Sequence, residues 1–102
     1  MSPEKAKKIA QIWISQSPKP NSLEVKEVID VLQALGFTLK RKIEQDTGYI
    51  FEHSCLKSDS YFAFGSMYIF VNHAKNKKAT ILIGCVKAIL KALSLHPDLK
   101  NE

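Results

Sequence analysis

The stretch GSMYIFVNHAKNKKATILIGCVKAILKAL, from Gly65 to Leu93, decides the fold. Residues Met67–Asn72 are mostly β-branched and aromatic, which is typical of a strand. Residues 74–77 are polar and basic, and they predict a hairpin tip ahead of a second strand over 78–83. Gly84 interrupts the strand pattern, and apolar residues then recur at helical spacing. The stretch therefore predicts a β-hairpin followed by a closing amphipathic helix.

Two helices are predicted at the start of the chain. Ser2-Pro3-Glu4 has the residue types of a helix start, and the prolines of the Ser17–Pro20 segment end that first helix. A second helix follows Asn21 and Glu24, which stand at capping-box spacing. Gly36 is well placed to adopt the left-handed conformation that ends it.

Two further strands are predicted between these helices and the hairpin. Apolar and polar residues alternate over 37–43, and the run 49–53 has strand composition. A turn over Asp46-Thr47-Gly48 joins the two strands. Residues 60–64 also have strand character, with Gly65 and Ser66 as a bend before the hairpin.

The element order is therefore α-α-β-β-β-β-α, an α+β fold. We expect an antiparallel sheet of three to four strands with helices on one face. A chain of 102 residues is long enough for one hydrophobic core. The predicted organisation is an appended helix over residues 1–17, a single domain over 21–97 and a tail over 98–102.

Composition limits the classes of function. Hydrophobic residues make up 45% of the chain and charged residues 25%, which predicts a packed protein. No apolar run reaches the roughly 20 residues that span a bilayer, and the N-terminus lacks a signal-peptide core, so we expect a cytoplasmic protein without a membrane partner. Cys55 and Cys85 have no metal-ligand spacing, and the carboxylates have no nuclease-like spacing. We therefore expect no metal and no cofactor.

The net charge of +5 is unevenly distributed. Six lysines and a single acidic residue, Asp59, lie between Lys57 and Pro97. Such a surface favours phosphate backbones or an acidic partner protein, but a solvated lysine face is an equally weighted alternative. Lysine lacks the planar fork that reads bases, so backbone contact is expected. The candidate nucleic-acid-binding residues are Lys40, Arg41, Lys42, Lys75, Lys77, Lys78, Lys87 and Lys91.

From Val25 to Leu93 the sequence resembles the HicA, or YcfA-like, toxin family. The similar parts are Leu35-Gly36-Phe37 after a helix, the strand GSMYIFVNH, the basic tip AKNKK, the strand ATILI and the helix VKAILKAL. The resemblance implies a double-stranded-RNA-binding-domain-like fold, an RNA substrate and a neutralising antitoxin-like partner. It also implies a catalytic histidine after Gly65-Ser66, where this chain has Met67. An alternative alignment places Tyr49 at that position.

Ribonuclease chemistry without a metal requires proton transfer, for which histidine is suited. His73 is the one weak catalytic candidate, because lysines surround it; an exposed strand-end histidine is the preferred interpretation. His53 lies two residues from Cys55, but no third group completes a nucleophilic site. Because Met67 cannot transfer protons, we expect no efficient ribonuclease activity.

Aromatic residues concentrate in the middle strands. A sheet covered by helices on one face must expose one of two sets, Tyr68 and Phe70 or Met67, Ile69 and Val71, unless something covers the second face. Exposed aromatics among basic residues can stack on unpaired bases. They can also dock protein, and the predicted protein-interaction residues are Trp13, Tyr61, Phe64, Tyr68 and Phe70. Two hypotheses result: a HicA-like RNA-binding module, or a non-catalytic adaptor, inhibitor or homodimer.

Overall fold

A computed structural model describes residues 1–18, 20, 22–43, 48–62, 65–72, 79–97 and 99. It contains three α-helices, four strands and a short 3₁₀ helix over Ser54–Ser58. The α-helices are α1 (Pro3–Ser15), α2 (Val25–Ala34) and α3 (Ile83–Leu95), and the strands are β1 (Thr38–Ile43), β2 (Gly48–Glu52), β3 (Ser66–Asn72) and β4 (Thr80–Ile81). The predicted α+β class and the order α-α-β-β-β-β-α are confirmed.

The strands form one antiparallel sheet in the order β1-β2-β3-β4. A bulge between Leu39 and Arg41 interrupts the pairing of β1 with β2. Strand β4 is short and pairs with β3 only through Val71↔Ile81 and Asn72↔Thr80. The sheet therefore has a long basic edge at β1 and an edge at β3 that β4 covers in part.

The transition from α2 to β1 depends on Gly36. This residue has φ +93°, in the region that favours glycine, as the sequence predicts. The Gly36 N–H donates to the Gln33 carbonyl at 3.1 Å, and the Phe37 N–H donates to the Leu32 carbonyl at 2.9 Å. These two bonds form a Schellman cap, which satisfies the last helix carbonyls and directs Phe37 into the core.

The hydrophobic core lies on one face of the sheet, under α2 and α3. Side chains of β3 alternate strictly: Met67, Ile69 and Val71 are buried, whereas Tyr68 and Phe70 are exposed. Helix α1 packs against α2 and α3. Its buried residues, Ala6, Ala10 and Trp13, extend the same core instead of covering the second face of the sheet.

Several local predictions differ from the structure or lie outside the described residues. Residues 60–62 form a turn rather than a strand, because the 3₁₀ helix and the following turn occupy 54–62. The Gly65 bend is present, with φ +74°. The predicted turn at 46–47, the hairpin tip at 74–77 and Asn21 lie outside the described residues, whereas Leu99 of the predicted tail is buried. Helix α2 begins at Val25 with Glu24 as its N-cap and has no side-chain cap hydrogen bond, so Glu24 does not lie in the first turn of a helix capped at Asn21. In the described part of the chain, every helix is too short or too polar to cross a bilayer.

Candidate functional site

The face of the sheet opposite the helices presents an aromatic pair. In the strand register Arg41, Ile50 and Tyr68 stand opposite one another across β1, β2 and β3. Tyr68 is 53% exposed and Phe70 is 43% exposed. Phe70 stands opposite Gly48, which has no side chain to cover it. We call the surface formed by Arg41, Ile50, Tyr68 and Phe70 the outer sheet face.

Two basic residues of β1 border the aromatic pair. Lys40 lies in the β1 bulge, and its Nζ is 3.7 Å from Glu52 Oε1, which places Lys40 at the same face. Both side chains are exposed, so this ion pair is screened by solvent and contributes little to stability. Arg41 is exposed and aligned with Tyr68 through Ile50. Its planar guanidinium can bind phosphate or stack on a base.

The eight predicted nucleic-acid-binding residues do not form a single surface. Lys40 and Arg41 border the outer sheet face, and Lys42 is exposed on the same strand. Lys87 and Lys91 are exposed on α3, which packs beneath the other face. The Nζ of Lys91 lies 3.4 Å from Asp59 Oδ2 and 5.6 Å from the centroid of the Tyr61 ring. Lys75, Lys77 and Lys78 lie outside the described residues.

The predicted protein-interaction residues also divide. Tyr68 and Phe70 lie on the outer sheet face, and Tyr61 is 59% exposed on the other side of β3, beside α3. Trp13 is buried on α1, which packs on α2 and α3, so Trp13 is not part of an exposed docking surface in this structure. Phe64 lies outside the described residues.

A histidine pair that the sequence did not reveal joins β2 to the end of α3. The rings of His53 and His96 are 5.0 Å apart, and Phe37 packs beside both. His96 is buried, and its Nε2 lies 2.7 Å from the Leu35 carbonyl, so this nitrogen carries the proton and donates. His53 Nδ1 accepts from the Cys55 N–H at 2.9 Å and caps the 3₁₀ helix.

These contacts bear on acid–base chemistry. The Cys55 N–H occupies the one basic nitrogen of neutral His53, so that nitrogen is not available to accept a proton from a substrate. Met67 is 1% exposed and points into the core, so the position that the family resemblance gives to a histidine is buried. His73, the weak catalytic candidate, lies outside the described residues.

His53 makes the folded state sensitive to acid. Burial lowers the pKa of His53 below its usual value near 6.5, and the neighbouring His96 lowers the pKa further. In the unfolded chain the same group takes up a proton near pH 6.5. The free energy of unfolding is therefore highest above this pH, and it falls as the pH drops from 6.5 through the lower pKa of the folded state.

We expect this dependence to weaken in His53→Asn. The Asn side-chain oxygen can replace Nδ1 as the acceptor for the Cys55 N–H, but it does not titrate. Urea denaturation between about pH 5 and pH 8 measures the effect, in a range above the carboxylate titrations. An equal loss of stability in wild type and His53→Asn would contradict the assignment to His53.

The acidic and sulfur-containing residues do not suggest a metal centre. Within the described ranges no three His, Cys, Asp or Glu side chains lie close enough to hold an ion. Cys55 and Cys85 are both free thiols, and burial raises the pKa of Cys55. The Asp59 carboxylate accepts the Tyr61 N–H at 2.8 Å, and this bond, with help from Lys91, lowers its pKa. Asp59 is thus a turn-forming residue.

No family model, curated protein or solved structure matches this chain. We therefore infer function from the surfaces themselves. The described chain defines an α+β protein with one sheet face buried by helices and the other occupied by aromatic and basic side chains. The sequence alone left open which face that would be.

Proposed function

We propose that this chain is a small basic module, similar to HicA proteins, that binds unpaired RNA on the outer sheet face. We also propose that it acts in the cytoplasm. The observation that carries the proposal is the pair of exposed rings, Tyr68 and Phe70, on a face bordered by Arg41 and Lys40. Residues two apart on a strand are about 7 Å apart, which lets each ring stack on a different base. Stacking tolerates any base, because every base has a π-face.

Electrostatics supports the same assignment. The chain carries a net charge of +5, and Arg41 has no ion-pair partner among the described residues. A phosphate that reaches Arg41 therefore competes with no carboxylate of the described residues, whereas at Lys40 it competes with Glu52 across 3.7 Å. We assign the principal phosphate contact on this face to Arg41 and a secondary one to Lys40.

Arg41→Gln tests this contact. Removing one phosphate contact should reduce the slope of log affinity against log salt by about 0.7 for single-stranded RNA. The matched control is Lys8→Gln, which removes an exposed charge from α1, away from the sheet. Fluorescence anisotropy of labelled RNAs of unrelated sequence measures both variants. A slope that changes equally in the two variants, or a loss confined to one RNA sequence, would contradict backbone contact at Arg41.

The proposed role is binding rather than efficient cleavage. Its support is the buried position of Met67 and the use of the His53 lone pair by the Cys55 N–H. We expect purified protein to leave structured and unstructured RNA intact, with or without divalent metal, because loss of a general acid–base group costs about 10²–10⁴ in rate. Gel analysis of wild type and His73→Ala provides the test. Cleavage that disappears in His73→Ala would make His73 a catalytic residue.

A second candidate function is protein docking, with an antitoxin-like protein or a second copy of the chain as the partner. It is favoured by Leu82, which is exposed beside Phe70 because its N–H donates to the Phe70 carbonyl at 3.0 Å, and by the exposed Ile83 that follows at the start of α3. These residues extend the aromatic pair into an apolar patch. Salt separates the two functions, because apolar docking changes little with ionic strength whereas phosphate binding weakens steeply.

A further inference from the structure

Within the described part of the chain, the β3 edge that faces α3 is unpaired over its first half. The N–H and C=O groups of alternate residues in a strand point to opposite neighbours. The backbone N–H and C=O of Phe70 point toward β4: the carbonyl accepts the Leu82 N–H, and the N–H lies 3.3 Å from Cys85 Sγ. The backbone N–H and C=O groups of Ser66 and Tyr68 therefore point to the same side of β3, but they lie beyond the end of β4. No described residue pairs with their backbone groups on that side.

A groove lies along this unpaired edge. Its volume is about 290 Å³, and it runs between β3, the Tyr61 turn and the first turns of α3. Its walls are mostly apolar and include Tyr61, Phe62, Met67, Cys85 and Ala88. A methyl group added at Gly84 would meet no atom within 4 Å, so the groove is open beside the helix backbone. A partner strand paired with this edge would lie about 4.8 Å from β3, along the groove.

The two sides of the sheet differ in how they are protected against strand pairing. Strand β1 carries a bulge and the successive charges Lys40, Arg41 and Lys42, which are devices that discourage pairing with another chain. Strand β3 has no charged residue from Ser66 to Asn72. Its exposed edge is therefore chemically suited to accept a strand.

We propose that the edge of β3 is a strand-addition site for an extended, acidic segment of a partner protein. Ser66 and Tyr68 offer two backbone donors and two acceptors, and the groove accommodates side chains that point inward. Lys87 and Lys91 are exposed on one face of α3. Lys91 reaches the Tyr61 end of the groove but already lies 3.4 Å from Asp59, so the positive charge that acidic residues flanking the strand would meet is chiefly that of Lys87. A second copy fits less well, because its β1 edge is itself basic.

This site is separate from the outer sheet face. The partner strand would lie beside Tyr68 in the plane of the sheet, whereas RNA would stack above the ring of Tyr68. Each proposal can therefore fail while the other stands. A bound strand would also widen the sheet next to the aromatic pair.

The test uses a synthetic peptide, acetyl-Glu-Val-Thr-Val-Thr-Glu-amide, titrated into ¹⁵N-labelled full-length protein. We expect saturable amide shifts centred on Ser66 and Tyr68. A peptide N-methylated on its central residues loses the backbone donors and should bind at least about tenfold more weakly. No saturation at millimolar peptide, or equal binding of the two peptides, would overturn the proposal.

Three variants locate the peptide. Gly84→Trp fills the open space of the groove and should abolish binding, whereas Gly84→Ala adds one methyl group and should retain it. Lys87→Glu changes an exposed residue without entering the groove, and it should weaken binding of the acidic peptide. Retained binding in a folded Gly84→Trp variant would overturn the location. Concentration-dependent dimerisation that competes with the peptide would assign the edge to a second copy instead.

Discussion

Leu32→Ala is expected to lower the free energy of unfolding by about 2–5 kcal/mol. Leu32 is 0% exposed and lies in the last turn of α2, a helix that packs against α1 and β1. Its truncation leaves a cavity at the connection between α2 and β1, beside the hydrogen bond that the Phe37 N–H donates to the Leu32 carbonyl. The surroundings are held by that cap and can relax only in part, so the upper half of the range is expected.

Leu90→Ala is the matched control. By helical spacing, Leu90 belongs to the apolar stripe of the closing helix together with Val86, Ile89 and Leu93. In the structure it is half-buried, while Val86, Ile89 and Leu93 fill the core. Its truncation should therefore cost less than that of Leu32. Urea denaturation with an unchanged m-value measures both. A near-neutral Leu32→Ala would contradict the packing of α2 on the sheet.

Local patterns in the sequence predict most of the fold because each element carries its own signal. The stripe of α2, the proline break after α1 and the glycine after α2 are all short-range features, and the structure contains each of them. The aromatic residues of segment 60–64 predict a strand, but the described part, residues 60–62, forms a turn. The turn there is held instead by Asp59, whose carboxylate accepts the Tyr61 N–H.

The candidate sites were harder to predict because they depend on register and on distant contacts. Alternation along β3 separates Tyr68 from Met67, but it does not say which side the helices cover. The alignment of Arg41 with Tyr68 depends on the β1 bulge, which shifts the register by one residue. The contact between His53 and His96 joins residues 43 positions apart, as the numbering in the sequence shows. Trp13 was assigned to docking because a large apolar residue on an appended helix does not indicate where that helix packs.

Replacing both rings of the outer sheet face should cause the largest loss of RNA binding. Stacking of one base on an aromatic side chain contributes about 1–3 kcal/mol, which corresponds to about 5- to 150-fold in affinity for each ring. The double variant Tyr68→Ala/Phe70→Ala loses both platforms, and because the two side chains are exposed its stability should change little. The matched control is Tyr61→Ala, which removes an equally exposed tyrosine beside α3.

The central claim is that unpaired RNA binds on the outer sheet face. Fluorescence anisotropy of a labelled oligouridine RNA, titrated with the wild type, the double variant and Tyr61→Ala at several salt concentrations, tests it most directly. We predict salt-sensitive binding by the wild type and by Tyr61→Ala, and a loss of at least about tenfold in the double variant. Equal affinity in all three proteins, or no binding by the wild type at low salt, would contradict the claim.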